Sequence, residues 1–226
     1  MMAHRLGVGR AALLCIVLAG VAACAGALTP TPARLFTLTA AERFDPALPQ
    51  GNFQLLVETP VASAALDTPR IAVERTPTSI DYLADATWTD RAPAMVQGLI
   101  VRSFEESGKI VSVGRDTAGL RSDLVLRVEL RDFQAQYSSP NLGNPDRVRV
   151  RLSAKLVAMP RRTIEAGEMF EAVAPVQDGG IDGVVTAFNA AFKQVMEQMV
   201  AWTLRTGGAI TAAGASGSGS EPRRLR

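Results

Sequence analysis

The chain has 226 residues, 47% hydrophobic and 20% charged, with a formal net charge of +2. Such a length suits one domain of roughly 180 residues with its own core, and a charge so near zero speaks against nucleic acid, whose binders carry a basic excess. His4, Cys15 and Cys24 are the only histidine and cysteines, so the body of the chain lacks the groups for a His-based triad, a His metal site or a Cys nucleophile. Neither G-x-S-x-G, S-x-x-K nor a phosphate-cradling glycine loop occurs. A site built on carboxylates or on Ser and Lys remains open in principle.

In chain order, Arg5 and Arg10 come first, followed by an apolar run over residues 11–19. A charged segment before a short apolar one is the pattern of a secretory signal. The run is too short to span a bilayer, which needs about 20 residues. Val21-Ala22-Ala23-Cys24 closes it and resembles a bacterial lipobox, in which a peptidase cuts before a Cys whose sulfur has received diacylglycerol. Residues 1–23 are then a cleaved lipoprotein signal peptide and Cys24 is the lipidation site. The competing reading is an ordinary signal peptide that happens to contain a Cys. Cleavage removes two bases, leaving 22 against 22 acids. Ala25 rather than Asp after the Cys implies, by the sorting rule of enteric-type lipoproteins, the periplasmic face of the outer membrane. Residues 24–33 hold Ala, Gly, Thr, Pro30 and Pro32 and read as a tether.

Residues 34–39 and 54–59 are short, apolar-rich and bounded by Pro and Gly, as strands are. Residues 70–75 alternate Ile71 and Val73 with polar neighbours. Residues 79–83 and 87–89 suggest a hairpin around Ala84-Asp85. Met95, Val96, Leu99, Ile100 and Phe104 fall at helical spacing. Thr89 or Asp90 is placed to cap that helix, Pro93 fits in its first turn, and Gly108 is the expected left-handed stop. Ile110, Val111 and Val113 begin another strand.

Leu124, Leu126, Val128 and Leu130 are apolar at every second position, with Arg127, Glu129 and Arg131 between them. Beyond Asp132 the phase slips to Phe133, Ala135 and Tyr137, which predicts a bulge near Arg131-Asp132. Residues 138–145 supply Pro, Asn and Gly for a loop. Val148, Val150, Leu152, Ala154 and Leu156 then alternate with Arg147, Arg149, Arg151 and Lys155, and residues 163–174 give a third strand. This is an antiparallel meander with one apolar and one charged face. The arginine row suits lipid phosphates or an acidic partner, but pairing across strands with Glu129, Glu165 and Glu171 explains it more simply. Residues 181–204 form a helix with a wide stripe from Ile181 through Val184, Val185, Phe188, Phe192, Val195, Met196, Met199 and Val200. Core packing is the commoner meaning of such a stripe, a lipid-binding lining the rarer one. Trp88 and Trp202 each suit core or interface. Residues 207–226, rich in Gly and Ser and ending Arg223-Arg224-Leu225-Arg226, read as a disordered tail.

The predicted fold is α+β, a largely antiparallel sheet with two main amphipathic helices packed on one face, in a domain over residues 34–206. The order of motifs resembles the ABC-type transport auxiliary lipoprotein family, which includes PqiC-like proteins. The residues that carry the likeness are the lipobox, Leu35-Phe36-Thr37-Leu38, Arg70-Ile71-Ala72-Val73, Ile80-Asp81-Tyr82-Leu83, residues 87–93, Ser107-Gly108-Lys109-Ile110-Val111, Asp123-Leu124-Val125-Leu126-Arg127-Val128 and the Phe-rich last helix. They are structural patterns rather than catalytic signatures. The resemblance implies a noncatalytic, outer-membrane-anchored part of an intermembrane lipid transport system. It would dock an MCE-domain substrate-binding protein of an ABC transporter, with homo-oligomers in some members, and no cofactor, metal or catalytic residue is carried over. The alternatives are a lipid-carrying lipoprotein, with a cavity between the last helix and the sheet, and an activator of a cell-wall synthase.

Overall fold

The computed structural model describes residues 32–116, 121–139 and 143–217. The chain order is β1 (Arg34–Phe36), β2 (Gly51–Val57), β3 (Val61–Ala62), β4 (Arg70–Thr76), β5 (Ser79–Trp88), α1 (Ala92–Ser107), β6 (Ile110–Arg115), β7 (Leu124–Gln136), β8 (Arg147–Ala158), β9 (Thr163–Pro175) and α2 (Ile181–Gly217). The architecture is α+β, with all nine strands in one sheet.

β7 organises that sheet. Along one edge it pairs antiparallel with β8 over its whole length, and β8 pairs antiparallel with β9. Along the other edge three parallel strands follow one another: β2 at Leu124 to Leu126, β3 at Glu129 and Leu130, and β4 at Gln134 to Gln136. From there the sheet forks. One branch continues from β2 to β6, the other from β4 to β5 to β1. The long pairings are therefore antiparallel, as the alternation implied, and the short joins make the sheet mixed.

The phase slip in β7 is a bulge. Leu130 faces Leu152, but Asp132 faces Arg151, so Arg131 is the extra residue. The bulge keeps Phe133 and Ala135 on the same buried face as Leu124 to Leu130. Residues 79–88 do not form the expected hairpin. They are one strand whose register against β4 jumps between Tyr82 and Thr87, with Asp85 at φ 55°. A short Asx side chain tolerates that left-handed conformation, so it can mark a bulge as well as a turn. The reversal falls earlier, between β4 and β5.

Both helices cover the apolar side. In α1, Met95, Val96, Ile100 and Phe104 are buried. The expected side-chain cap is absent: Arg91 is the N-cap residue without a side-chain hydrogen bond, and Asp90 Oδ1 accepts the Arg91 amide at 2.7 Å instead. Pro93 lies in the first turn, and Gly108 ends the helix at φ 59° with its amide on Glu105 O. Two polar residues of α1 are core members. Gln97 donates to Val57 O at 2.9 Å, and Ser103 accepts the Ala41 amide at 3.1 Å.

In α2, Val184, Phe188, Phe192, Val195, Met196, Met199 and Val200 are all buried. Full burial of such side chains stabilises by about 1.5–3 kcal/mol each, enough to hold a helix this long against the sheet. Trp88, Phe133 and Phe188 form the centre, with ring centroids 5.1–5.8 Å apart. The helix does not stop at Gly207 but continues to Gly217. A β-carbon at Gly207 would lie 2.7 Å from Phe53 and 2.9 Å from Leu124. The glycine therefore marks a close helix–sheet approach rather than a break. The rest of the expected tail, residues 218–226, lies outside the described residues.

Candidate functional site: anchor, charged face and open edge

Cys24, the one residue singled out for chemistry, lies outside the described residues, as do the expected signal segment and most of the expected tether. β1 is held at its outset. Arg34 makes a two-pronged contact with Asp182 at the start of α2, at 2.7 and 3.1 Å. Hydrogen bonding from Arg34 holds the Asp182 carboxyl below its ordinary value, and the same contact raises the Arg34 guanidinium. Thr39 adds an amide contact to Asn189 Oδ1 at 2.8 Å.

The charged face of the meander neutralises itself to a large extent. Arg149 pairs with Glu171 on β9 at 3.0 Å, Arg127 with Glu58 at 2.7 Å and Arg131 with Glu129 on its own strand at 2.9 Å. Arg151 pairs with Asp132 at the bulge. Glu171 thus plays the cross-strand role expected of it. Glu129 serves its own strand, and Asp132 and Glu58 are acids the sequence pattern did not single out. Glu74 accepts from Gln134 at 2.9 Å and Gln136 at 2.7 Å, two glutamines that are 4% and 5% exposed. Bases already engaged in this way are poor candidates for a phosphate-binding row, which needs free cations. Lys155 is exposed and has no ion pair among the described residues.

The two tryptophans separate. Trp88 is 1% exposed and belongs to the core. Trp202 packs its ring edge-on with Phe170, centroids 5.7 Å apart, and walls a groove of about 510 Å³ with Phe44, Leu48, Ala201, Arg43 and Arg205. That volume lies within the range of small-molecule sites, ~300–1,000 Å³. The groove joins a loop after β1 to the outer side of α2. The stripe of α2 is core, the commoner of its two readings, and of the residues the sequence pattern singled out only Trp202 lines the groove.

A third feature is the edge of the sheet. Among the described residues β9 pairs with β8 alone, leaving one side of a thirteen-residue strand without a neighbour. Among the described residues no cluster of three or more His, Cys, Asp or Glu could hold a metal ion. Nor is any described helix long and apolar enough to cross a membrane.

Comparison with known proteins places these features. The family model described as the ABC-type transport auxiliary lipoprotein component matches residues 36–200. A crystal structure of a Xanthomonas campestris protein, assigned to the family DUF330, superimposes with a TM-score of 0.73 at 33% identity, covering 80% of this chain and 99% of that one. A second solved protein, uncharacterized, shares the fold at a TM-score of 0.54 and 14% identity over 80% of this chain and 99% of that one. An uncharacterized protein of Bradyrhizobium diazoefficiens is 25% identical over 83% of this chain, which spans only 49% of that relative's length.

Proposed function

Because this chain belongs to the ABC-type transport auxiliary lipoprotein family, we propose that it is a noncatalytic docking protein for an envelope lipid transporter. Cys24 carries the lipid anchor, and residues 24–33 supply reach. The domain from Arg34 onward is the platform, held at the periplasmic face of the outer membrane. The partner is the MCE-domain substrate-binding protein of the transporter, and the cargo is a phospholipid or another hydrophobic molecule. The observation that carries this reading is the family match across residues 36–200, which takes in α1, the first turns of α2 up to Val200 and every strand but the first residues of β1. The likeness to the Xanthomonas protein over most of both chains supports it.

Affinity purification of the full lipidated protein from membranes tests the proposal. The expected result is recovery of an ATPase, a permease and an MCE-domain protein, together with diacylglycerol on Cys24 by mass spectrometry. A Cys24→Ser chain is expected to leave the membrane fraction. An unmodified thiol at position 24, or recovery of cell-wall synthases instead, would overturn it.

A second reading is favoured by the Trp202 groove. An aromatic-walled groove that carries Arg43 and Arg205 beside Asp45 and Glu197 has the chemistry to hold an amphiphile with a polar head, which would make the protein a lipid carrier as well as a dock. Lipid extracted from the purified domain at near one molecule per chain, and lost in Trp202→Ala, supports this. A lipid-free domain removes it.

A further inference from the structure

Among the described residues four strands pair on one side only: β3 over two residues, β1 over three, β6 over six and β9 over thirteen. An open edge presents a row of free amide and carbonyl groups, a template for another strand. Natural edges are guarded by lysines, prolines, bulges or short length. β9 is long and over Thr163–Pro175 contains no lysine or arginine; its bulge, which leaves Glu165 without an opposite residue in β8, and its proline, Pro175, lie near its two ends.

Its side chains are of two kinds. Ile164, Met169 and Val173 are 55%, 46% and 46% exposed, three of the seven large hydrophobic side chains so exposed among the described residues. Glu165, Glu168 and Glu171 are the strand's only charges. Glu171 is engaged by Arg149, while Glu165 and Glu168 have no ion pair among the described residues. Register places Met169 opposite Ser153 and Val173 opposite Arg149, on the charged face, and Glu168 opposite Ala154, on the helix-covered face. A strand laid against β9 therefore meets apolar groups on one face and a free acid on the other. Two copies joined through the same edge would bring Glu165 and Glu168 of each toward the other with no base on either strand to offset them, which disfavours self-pairing.

We propose that the open edge of β9 is a strand-addition dock for an extended segment of a protein partner that alternates Lys or Arg with apolar residues. Its backbone completes the ladder, its apolar side chains lie beside Met169 and Val173, and its bases face Glu165 and Glu168. This is main-chain recognition with specificity supplied by alternate side chains. The proposal rests on the docking reading above and names its surface and the chemistry of the partner segment.

The test uses the full chain and three synthetic octapeptides: alternating Val-Arg, alternating Val-Glu, and Val-Arg with N-methylated amides at every second residue. Fluorescence anisotropy is expected to show Val-Arg binding about tenfold or more tighter than either control. Hydrogen exchange is expected to slow at alternate amides of β9. Glu165→Lys with Glu168→Lys, both on exposed positions, is expected to reverse the preference between Val-Arg and Val-Glu. Equal binding of the N-methylated peptide would reduce the effect to charge attraction and overturn the proposal. So would unchanged exchange in β9, or a preference that survives the double substitution. Purification from membranes separates this failure from the larger one. If the unaltered protein recovers the transporter and the doubly substituted protein recovers it equally well, the dock lies elsewhere and the functional reading stands. If the unaltered protein recovers no transporter component, the functional reading itself falls.

Discussion

β7 and β9 are both thirteen residues long and both belong to one sheet. β7 has partners on both edges and helices over its inner face, and Leu124, Leu126, Val128, Leu130, Phe133 and Ala135 are all buried. β9 has one partner, and only Phe170, Ala172 and Ala174 are buried on it. β9, with Gly167, Pro175, three Glu and three Ala, is also the poorer strand former, and it keeps less company. Interior strands hold the molecule together and tolerate little change. Edge strands contribute less to stability and are free to evolve toward contact with other molecules.

The sharpest way to break this comparison is to empty the centre of β7. Phe133→Ala is expected to cost ~3–5 kcal/mol, read as a fall in the midpoint of chemical denaturation, because Trp88 and Phe188 cannot both close on the space. Next is the helix–sheet approach. Gly207→Val forces a side chain against Phe53 and Leu124 and is expected to cost ~1–3 kcal/mol in the same measurement. A gain in stability would show that α2 is free to shift at its end. Smaller again is the pair at the bulge. Arg151→Ala leaves Asp132, whose side chain is 15% exposed, without its base, and is expected to cost ~1–2 kcal/mol. On the edge strand, Val173→Ala is expected to lie within about 0.5 kcal/mol of the parent. A loss as large as that of Phe133→Ala would abolish the distinction between the two strands.

The smallest effect concerns pH. Hydrogen bonding from Ser138, whose amide lies 2.6 Å from Asp146 Oδ1, holds the Asp146 carboxyl below its ordinary value. A lowered folded-state value means that the unfolded chain binds the proton more readily. The stabilisation is present above the unfolded value, near 3.9 for an aspartate, and is lost as pH falls through the folded value. Thermal melts of the parent and Asp146→Asn are therefore expected to differ at neutral pH and to converge in acid.

Much of the fold could be read from side-chain period, and the failures have physical causes. The bulge at Arg131 was visible because one extra residue moves every later side chain to the other face. Gly108 was visible because a left-handed stop is a local requirement. Asp85 misled because the same backbone angle serves a turn and a bulge. Gly207 misled because a glycine disfavours a helix by about 1 kcal/mol in isolation, whereas here its lack of a side chain is what lets the helix meet Phe53. The parallel joins of β2, β3 and β4 to β7 left no trace, since two or three paired residues impose no period. The site was less legible than the fold. Cys24 stood out through a motif, but an open edge is defined by a missing neighbour, and no residue of β9 announces that its far side is bare.

The attachment of β1 has a mechanical consequence. Three residues zipped to β5, one guanidinium clasped to Asp182 and the Thr39 contact to Asn189 help to secure the N-terminal end of the domain. A tug from that end would peel this short strand first and spend its work there, leaving the β7–β8–β9 ladder undisturbed. The domain thus has a yielding first strand next to a stiff body, an arrangement able to absorb a pull on its N-terminal end without losing its shape.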